Sequence, residues 1–175
     1  RIATRCLQAF PGSFPGSAAA EATGNPVRAD IVAVAAPQQR HADRDPLQAA
    51  KLLVMGGSLG AQALNEQLPL ALAQLPAGQR PLVRHQAGRG KLEATLSGYR
   101  TAGIEAEISE FIDDVPAAYA DADLVICRAG ALTVSELAAV GVASVLVPFP
   151  FAVDDHQTRN ADFLVGAGAA LLLQQ

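Results

Sequence analysis

Two glycine-bearing turns, each between a largely apolar segment and a helical pattern, constrain the fold of this chain more than any other feature. Gly56-Gly57-Ser58-Leu59-Gly60 follows the segment Lys51–Met55, and Arg128-Ala129-Gly130 follows Leu124–Cys127. A turn of small residues between a strand and a helix lets an anion approach the unpaired N–H groups at the helix start. Two such turns in one sheet indicate a pyrophosphate held between two helix N-termini. That arrangement is typical of a nucleotide or nucleotide-sugar site.

The remainder of the sequence alternates strands with helices. Strands are predicted over residues 51–55, 81–85, 104–111, 123–127, 143–147 and 169–173, and helices over 61–75, 90–99, 115–120, 132–140 and 157–165. Near-continuous apolar strands separated by helices predict a parallel sheet that is covered on both faces. Right-handed crossovers make this an α/β fold with a doubly wound, Rossmann-like sheet. Ligands bind such sheets beyond the carboxyl ends of the strands, where both glycine turns are expected.

Composition excludes several classes of protein. Of the 175 residues, 50% are hydrophobic and 17% are charged, which indicates a globular domain. The net charge of -4 argues against nucleic acid as a partner, because no excess of Lys and Arg neutralises a phosphate backbone. Cys6 and Cys127 lack metal-ligand spacing, and Cys127 is predicted to be a buried free thiol in a reducing compartment. The longest uncharged run, 137–153, contains a glycine and two prolines and therefore predicts no membrane span.

The region before the first long strand is irregular. The small residues of 17–24 predict a linker, and the polar residues of 38–46 predict a loop. Gly24-Asn25-Pro26-Val27-Arg28 is typical of a structured turn that enters a new domain. We therefore expect residues 1–23 to be the end of a preceding domain with its linker, and residues 24–175 to be the ligand-binding domain. Because the first residue is Arg1 rather than Met, we expect the chain to be part of a longer polypeptide.

The first turn has two interpretations. Its glycine spacing differs from the dinucleotide pattern G-x-G-x-x-G, and it lacks the Lys-Ser/Thr end of a P-loop. In the first interpretation it is a tight turn with Ser58 as the helix N-cap. In the second, the Ser58 hydroxyl and the following N–H groups contact a phosphate.

The second turn also has two interpretations. Thr133-Val134-Ser135-Glu136 matches the capping box, in which Glu136 returns to the N–H of Thr133. Alternatively, the two oxygens of the Glu136 carboxylate accept hydrogen bonds from vicinal ribose hydroxyls. Gly130 and its small neighbours favour the second interpretation.

Two further segments are expected at the same edge. Phe111-Ile112-Asp113-Asp114 ends a strand, either with an aspartate as N-cap or with the Ile112 backbone facing the edge of a base. Asp154 and Asp155 precede a helix and suit ordinary capping, whereas His156, Gln157 and Asn160 would suit sugar hydroxyls. One His beside two carboxylates is weak evidence for a metal. Structural roles are expected for His41 and His85.

Taken together, the motifs resemble, in order and approximate spacing, the C-terminal half of the MurG family. These enzymes are bacterial peripheral-membrane N-acetylglucosaminyltransferases of peptidoglycan synthesis. The resemblance covers nearly the whole chain and rests on five segments: Gly24-Asn25-Pro26-Val27-Arg28, Gly56-Gly57-Ser58-Leu59-Gly60-Ala61, Phe111-Ile112-Asp113-Asp114, Arg128-Ala129-Gly130-Ala131-Leu132-Thr133-Val134-Ser135-Glu136 and Asp155-His156-Gln157-Thr158-Arg159-Asn160-Ala161. Leu59 departs from the usual Gln of the family, and the helices that usually follow the last strand are not expected here.

The resemblance implies a two-domain GT-B fold, of which this chain is the C-terminal half and holds UDP-N-acetylglucosamine. It implies Arg28 near the nucleotide, Ser58 at the diphosphate and Ile112 at uracil. It places the segment Ala131, Leu132, Thr133, Val134, Ser135 and Glu136 around phosphate and ribose, with the Glu136 carboxylate on the ribose. It implies that Gln157 holds the sugar with help from His156 and Asn160. The presumed catalytic base belongs to the N-terminal domain, so no catalytic residue is expected in this chain.

The implied reaction transfers N-acetylglucosamine to the muramoyl C4 hydroxyl of lipid I, giving lipid II and UDP with inversion. No tightly held metal or other cofactor is implied, although a loosely bound divalent cation is compatible with the site. The family contacts lipid I and the cytoplasmic face of the membrane through its N-terminal domain. We therefore expect this polypeptide alone to bind donor weakly without turnover. Alternatives are another GT-B UDP-sugar transferase or a non-catalytic nucleotide-binding module; the glycine spacing disfavours a dinucleotide-dependent oxidoreductase.

Overall fold

A computed structural model describes residues 4–13, 20–42, 44–45, 47–152 and 155–175. The first elements are two short parallel strands, β1 (Cys6–Gln8) and β2 (Ala20–Ala22), and two short helices, α1 (Ala29–Val32) and α2 (Pro37–Arg40). The predicted linker is thus wrong at Ala20–Ala22, which pairs with β1, and the predicted loop is wrong at residues 38–40. Pro37 occupies the first turn of α2, where its missing N–H would have no helical partner. Residues 17–19, Pro46 and Asp154 lie outside the described residues.

A six-stranded parallel sheet follows. Its strands are β3 (Lys51–Met55), β4 (Leu82–Gln86), β5 (Ala106–Ser109), β6 (Leu124–Cys127), β7 (Ala143–Leu146) and β8 (Ala170–Leu172). The helices between them are α3 (Gln62–Ala73), α4 (Leu92–Thr101), α5 (Val115–Asp121), α6 (Ala131–Val140) and α7 (His156–Gly166), with a 3-10 turn at Ala77–Gln79. The strand order is β5-β4-β3-β6-β7-β8. The prediction of a doubly wound parallel sheet is confirmed, and the order reverses between β3 and β6.

The sheet is covered on both faces by apolar layers. Leu53 and Val125 pack on one face with α1, α5, α6 and α7, whereas Leu52 and Val54 pack on the other with α3 and α4. Successive residues of a strand point to opposite faces, so each central strand contributes to both layers. The buried runs therefore fix the register of β3 and β6, and with it the place where each glycine turn begins.

Some element ends differ from their predictions for identifiable reasons. The helix predicted from residue 90 begins at Leu92, because Gly90 has a φ of +69°, which no α-helix accommodates. The strand predicted over 104–111 is reduced to β5, since its ladder with β4 ends at the pair Gln86 and Ser109. Within the described residues no helix is both long enough and apolar enough to cross a membrane.

Candidate nucleotide-diphosphate site

The first glycine turn lies at the carboxyl end of β3 and is built around two residues with positive φ. Gly57 has a φ of +78° and Gly60 a φ of +69°, a region that residues with a Cβ rarely adopt. The turn delays α3 until Gln62, with Ala61 as its cap residue and no side-chain cap. The prediction of Ser58 as N-cap is therefore wrong. Ser58 is exposed within the turn, and no side chain of the described residues caps the first N–H groups of α3.

The second glycine turn lies at the carboxyl end of β6, beside the first. Here α6 begins at Ala131 with Gly130 as its cap residue, again without a side-chain cap. The first intrahelical hydrogen bond runs from the N–H of Val134 to the oxygen of Gly130, at 2.9 Å. Thr133 therefore belongs to the first turn of the helix, and the capping-box interpretation is wrong. Two uncapped helix starts flank the point where the strand order reverses, which is where doubly wound sheets bind their ligands.

Glu136 lies one turn further along α6 and has two partners. The hydroxyl of Tyr119 donates to its Oε2 at 3.2 Å, and Nε of Arg28 is 3.8 Å from its Oε1. Burial, with the nearby Glu136 carboxylate as a second cause, raises the pKa of Tyr119 well above its usual value. The tyrosine is thus a neutral donor that holds one carboxylate oxygen in place. The structure thus brings together Arg28 and Glu136, two of the predicted site residues.

The other members of the 131–136 segment offer different groups. Leu132 is exposed, whereas Val134 is buried in the core and offers no side chain. The Ser135 hydroxyl donates to the oxygen of Ala131 at 3.0 Å and accepts from the Asn25 amide at 3.0 Å. The Ser135 side chain therefore joins the 24–28 turn to the start of α6. Any contact that Ala131 or Val134 makes with a phosphate is through the backbone.

In the predicted base-reading segment, the backbone of Ile112 has no hydrogen-bond partner within the part of the chain that the structure describes. The Ile112 side chain is buried, while its N–H and C=O have no hydrogen-bond partner among the described residues. Asp114 accepts from the N–H of Ala117 at 2.9 Å, so the prediction of an aspartate N-cap for α5 is correct. The Ile112 amide and carbonyl thus keep unused hydrogen-bonding capacity among the described residues.

The predicted sugar-binding residues occupy the start of α7. Gln157 accepts from the N–H of Phe149 at 2.9 Å, and the Asn160 amide donates to the oxygen of Ala129 at 3.0 Å. His156 is exposed at the first position of the helix. Asn160 thereby connects α7 to the second glycine turn.

An open cavity of about 720 Å³ lies between the first glycine turn and the start of α7. It is lined by the first glycine turn, the start of α3 and a set of residues from elsewhere in the chain: Lys91, Arg128, Phe149, Phe151, Gln157 and Gln175. Ser58 and Gln157 are the predicted site residues on this list. Arg28, Ile112 and the 131–136 segment lie outside this lining, so the predicted residues form more than one group along the sheet edge.

Sequence reasoning missed two residues of the candidate site, Arg128 and Tyr119. Arg128 donates to the backbone oxygens of Val147 and Pro148, at 3.1 and 2.8 Å, and to Gln175 at 2.6 Å. Its place directly after a strand, in a turn of small residues, was a usable signal. Tyr119 gave no such signal, because α5 meets Glu136 only once the chain is folded.

The two histidines with predicted structural roles have neighbours inside the protein. Both ring nitrogens of buried His85 are hydrogen bonded, and Nδ1 of His41 is 3.7 Å from the Asp123 carboxylate. Among the described residues no group of three or more His, Cys, Asp or Glu side chains is arranged to hold a metal ion. Cys127 is buried with a free thiol, as predicted.

These features define a Rossmann-like domain with a candidate anion site at its topological switch point. Residues 51–175 match the C-terminal domain of glycosyltransferase family 28. The chain therefore belongs to that family.

Similar proteins agree with this assignment. The chain is 57% identical to a protein of Cupriavidus metallidurans and 61% identical to one of Chromohalobacter salexigens, each called UDP-N-acetylglucosamine--N-acetylmuramyl-(pentapeptide) pyrophosphoryl-undecaprenol N-acetylglucosamine transferase. All of this chain and 48% of each relative are covered, so the chain spans about half the length of the curated relatives it matches. The crystal structure of Acinetobacter baumannii MurG aligns with a TM-score of 0.83 and 43% identity, over 99% of this chain and 47% of that one. The resemblance to MurG is thus confirmed.

Proposed function

We propose that residues 24–175 are the donor-binding domain of a transferase that moves N-acetylglucosamine from UDP-N-acetylglucosamine to lipid I, forming lipid II. The observation that carries this proposal is the pair of uncapped helix starts on either side of the switch point. The names of the similar proteins supply the identity of the sugar and of the acceptor.

The diphosphate lies between the starts of α3 and α6. The partial positive charge at each helix start stabilises a bound anion, and backbone N–H groups supply its hydrogen bonds. Ser58 contacts one phosphate from the first turn, and the N–H groups of Ala131, Leu132 and Thr133 face the diphosphate from the second. Such donors need no rearrangement when charge develops during the reaction.

The nucleoside lies along α6 toward the end of β5. Glu136 accepts from the two ribose hydroxyls, with Tyr119 and Arg28 holding the carboxylate in place. The N–H and C=O of Ile112, which have no partner among the described residues, pair with one edge of uracil. On the other side of the diphosphate, Gln157, with His156 and Asn160 nearby, contacts the sugar.

The reaction breaks one bond and forms another. The C4 hydroxyl of the acceptor attacks the anomeric carbon from the face opposite UDP, and the bond from that carbon to the diphosphate oxygen breaks. The configuration at carbon inverts, and the hydroxyl proton passes to a base outside this domain. The two helix starts stabilise the charge that develops on the β-phosphate of the departing UDP.

Acceptor binding and membrane contact belong, in this proposal, to a second domain. Residues 1–23 contribute its end, and that domain binds lipid I at the cytoplasmic face of the bacterial membrane. The chain described here is then expected to bind donor weakly and to form no lipid II alone. Lipid II production by this polypeptide in a reconstituted assay would contradict that division of labour.

Calorimetry with UDP-N-acetylglucosamine, UDP-glucose and NAD tests the donor assignment. Glu136→Ala should weaken UDP-N-acetylglucosamine binding by roughly 1–3 kcal/mol, because it removes a charged hydrogen-bond acceptor. Glu107→Ala is the matched control, since that carboxylate is exposed on β5 and pairs with Arg84. Unchanged affinity in Glu136→Ala would remove that residue from the ribose, and tighter binding of NAD would overturn the proposal.

A further inference from the structure

The loop between β4 and α4, residues 87–91, lies against the first glycine turn. A Cβ on Gly60 would overlap the oxygen of Ala87, and a Cβ on Gly88 would overlap the N atom of Gly60. The N–H of Arg89 donates to the oxygen of Ser58 at 3.2 Å. The two backbones are therefore in direct contact, and the position of the 87–91 loop determines how much room the glycine turn has.

The opposite side of the 87–91 loop is bonded to the end of β5. Ala87 donates to the oxygen of Ser109 at 2.9 Å, and Gly88 donates to that of Glu110 at 3.2 Å. The N–H of Gly90 donates to the Glu110 carboxylate at 2.6 Å. The 87–91 loop thus lies between the glycine turn and the segment that leads to Ile112.

A buried network of polar side chains anchors the 87–91 loop. The amide of Asn65 donates to the oxygen of Ala87 at 2.9 Å, and its Oδ1 accepts from Nε2 of His85 at 3.0 Å. Because Nε2 then carries the ring proton, Nδ1 accepts from the hydroxyl of Tyr99, at 2.9 Å. Each hydrogen bond of this polar network therefore has a defined direction, and the series ends at the Ala87 carbonyl.

Burial of this polar network keeps the imidazole of His85 neutral. His85 is fully buried, and Asn65 and Tyr99 are buried with it. Burial lowers the pKa of His85 to about 4, so at neutral pH the ring carries one proton. A buried polar network of this kind is costly unless all its members are satisfied, and it therefore holds a single geometry.

We propose that Asn65 is a positioning residue for the diphosphate site. Through Ala87 it fixes the 87–91 loop, and the fixed loop holds the glycine turn in the shape that presents the N–H groups of α3. This inference rests on the proposed function, since it concerns how that site receives a diphosphate. Asn65 itself touches neither substrate nor diphosphate.

The test compares UDP and uridine binding to four forms of the chain. Asn65→Ala removes the anchor, whereas Leu72→Ala removes buried apolar surface from the other end of the same helix. Tyr99→Phe removes only the hydrogen bond from Tyr99 to His85 and leaves the bond from Asn65 to Ala87. UDP affinity is measured by calorimetry and uridine affinity by NMR titration. The rate of hydrogen exchange at the Arg89 amide is measured in the absence of ligand.

Asn65→Ala should weaken UDP binding at least tenfold, leave uridine binding within about twofold, and accelerate exchange at the Arg89 amide. Leu72→Ala and Tyr99→Phe should leave UDP binding within about threefold. Equal losses for UDP and uridine, or equal losses in Leu72→Ala, would reduce Asn65 to a structural role and overturn the inference. Wild-type chain that binds uridine but gains nothing from the diphosphate would instead overturn the proposed function. If Asn65→Ala does not fold, Asn65→Asp, which keeps Oδ1 but loses the donor to Ala87, replaces it with the same expected outcomes.

Discussion

The buried imidazole of His85 makes the stability of the folded chain depend on pH. Burial lowers the pKa of His85 from 6.5 to about 4. The unfolded chain therefore takes up a proton below pH 6.5, whereas the folded chain resists protonation until about pH 4. Folded-state stability from this group is complete above pH 6.5 and falls as the pH drops toward 4. Between pH 7 and pH 4.5 the loss amounts to about 2 kcal/mol, at 1.36 kcal/mol for each tenfold change in proton concentration.

Urea unfolding at pH 7 and pH 4.5 measures this loss. His85→Gln keeps hydrogen-bonding groups but cannot titrate, so subtracting its pH dependence removes the contribution of all carboxylates. The wild-type chain should lose about 2 kcal/mol more than the variant between the two pH values. An equal loss in both proteins would refute the reasoning. An NMR titration of the His85 ring in the folded chain gives a second reading, and protonation near pH 6.5 would also contradict it.

Further predictions concern the glycine turn, the buried thiol and the tyrosine beside the ribose carboxylate. Gly60→Ala should destabilise the fold and abolish UDP binding, because the new methyl group strains a positive φ and overlaps the neighbouring loop, whereas Gly78→Ala, in open space, should do neither. Burial raises the pKa of Cys127 to about 12, so a thiol reagent at pH 8 should modify it only after unfolding. Tyr119→Phe should weaken UDP binding by roughly 1 kcal/mol, because Glu136 loses one of its hydrogen bonds.

Each of these predictions has a contrary result. The prediction for Gly60→Ala would be contradicted if the variant matched wild type both in its unfolding curve and in its affinity for UDP by calorimetry. Mass spectrometry would count against the second if Cys127 were labelled in the folded chain as fast as a free thiol in a peptide. Calorimetry would count against the third if Tyr119→Phe bound UDP as tightly as wild type.

The sheet and its helices could be predicted because burial on both faces leaves a strong sequence pattern. Lys51–Met55 and Leu124–Cys127 are short, mostly apolar runs, each followed by a turn that contains glycine, and the structure places both strands side by side. The two turns were therefore predicted correctly at the edge formed by the carboxyl ends of the strands. Element ends were harder to predict, since the conformation of a single glycine such as Gly90 decides where a helix begins.

Capping statistics misled at both turns for one physical reason. Ser58 and Thr133 are favoured cap residues, but a cap is decided by where the backbone first becomes helical. Gly60 delays one helix to Gln62, and Gly130 starts the other at Ala131. The network around Asn65 and the contact between Tyr119 and Glu136 could not be predicted, because they join side chains from elements that meet only in the folded chain.

The most direct test of the account is a crystal structure of the chain with saturating UDP. The account predicts the diphosphate between the starts of α3 and α6, within hydrogen-bonding distance of their first N–H groups, and the ribose hydroxyls on Glu136. UDP bound elsewhere on the sheet, with both helix starts left empty, would contradict it.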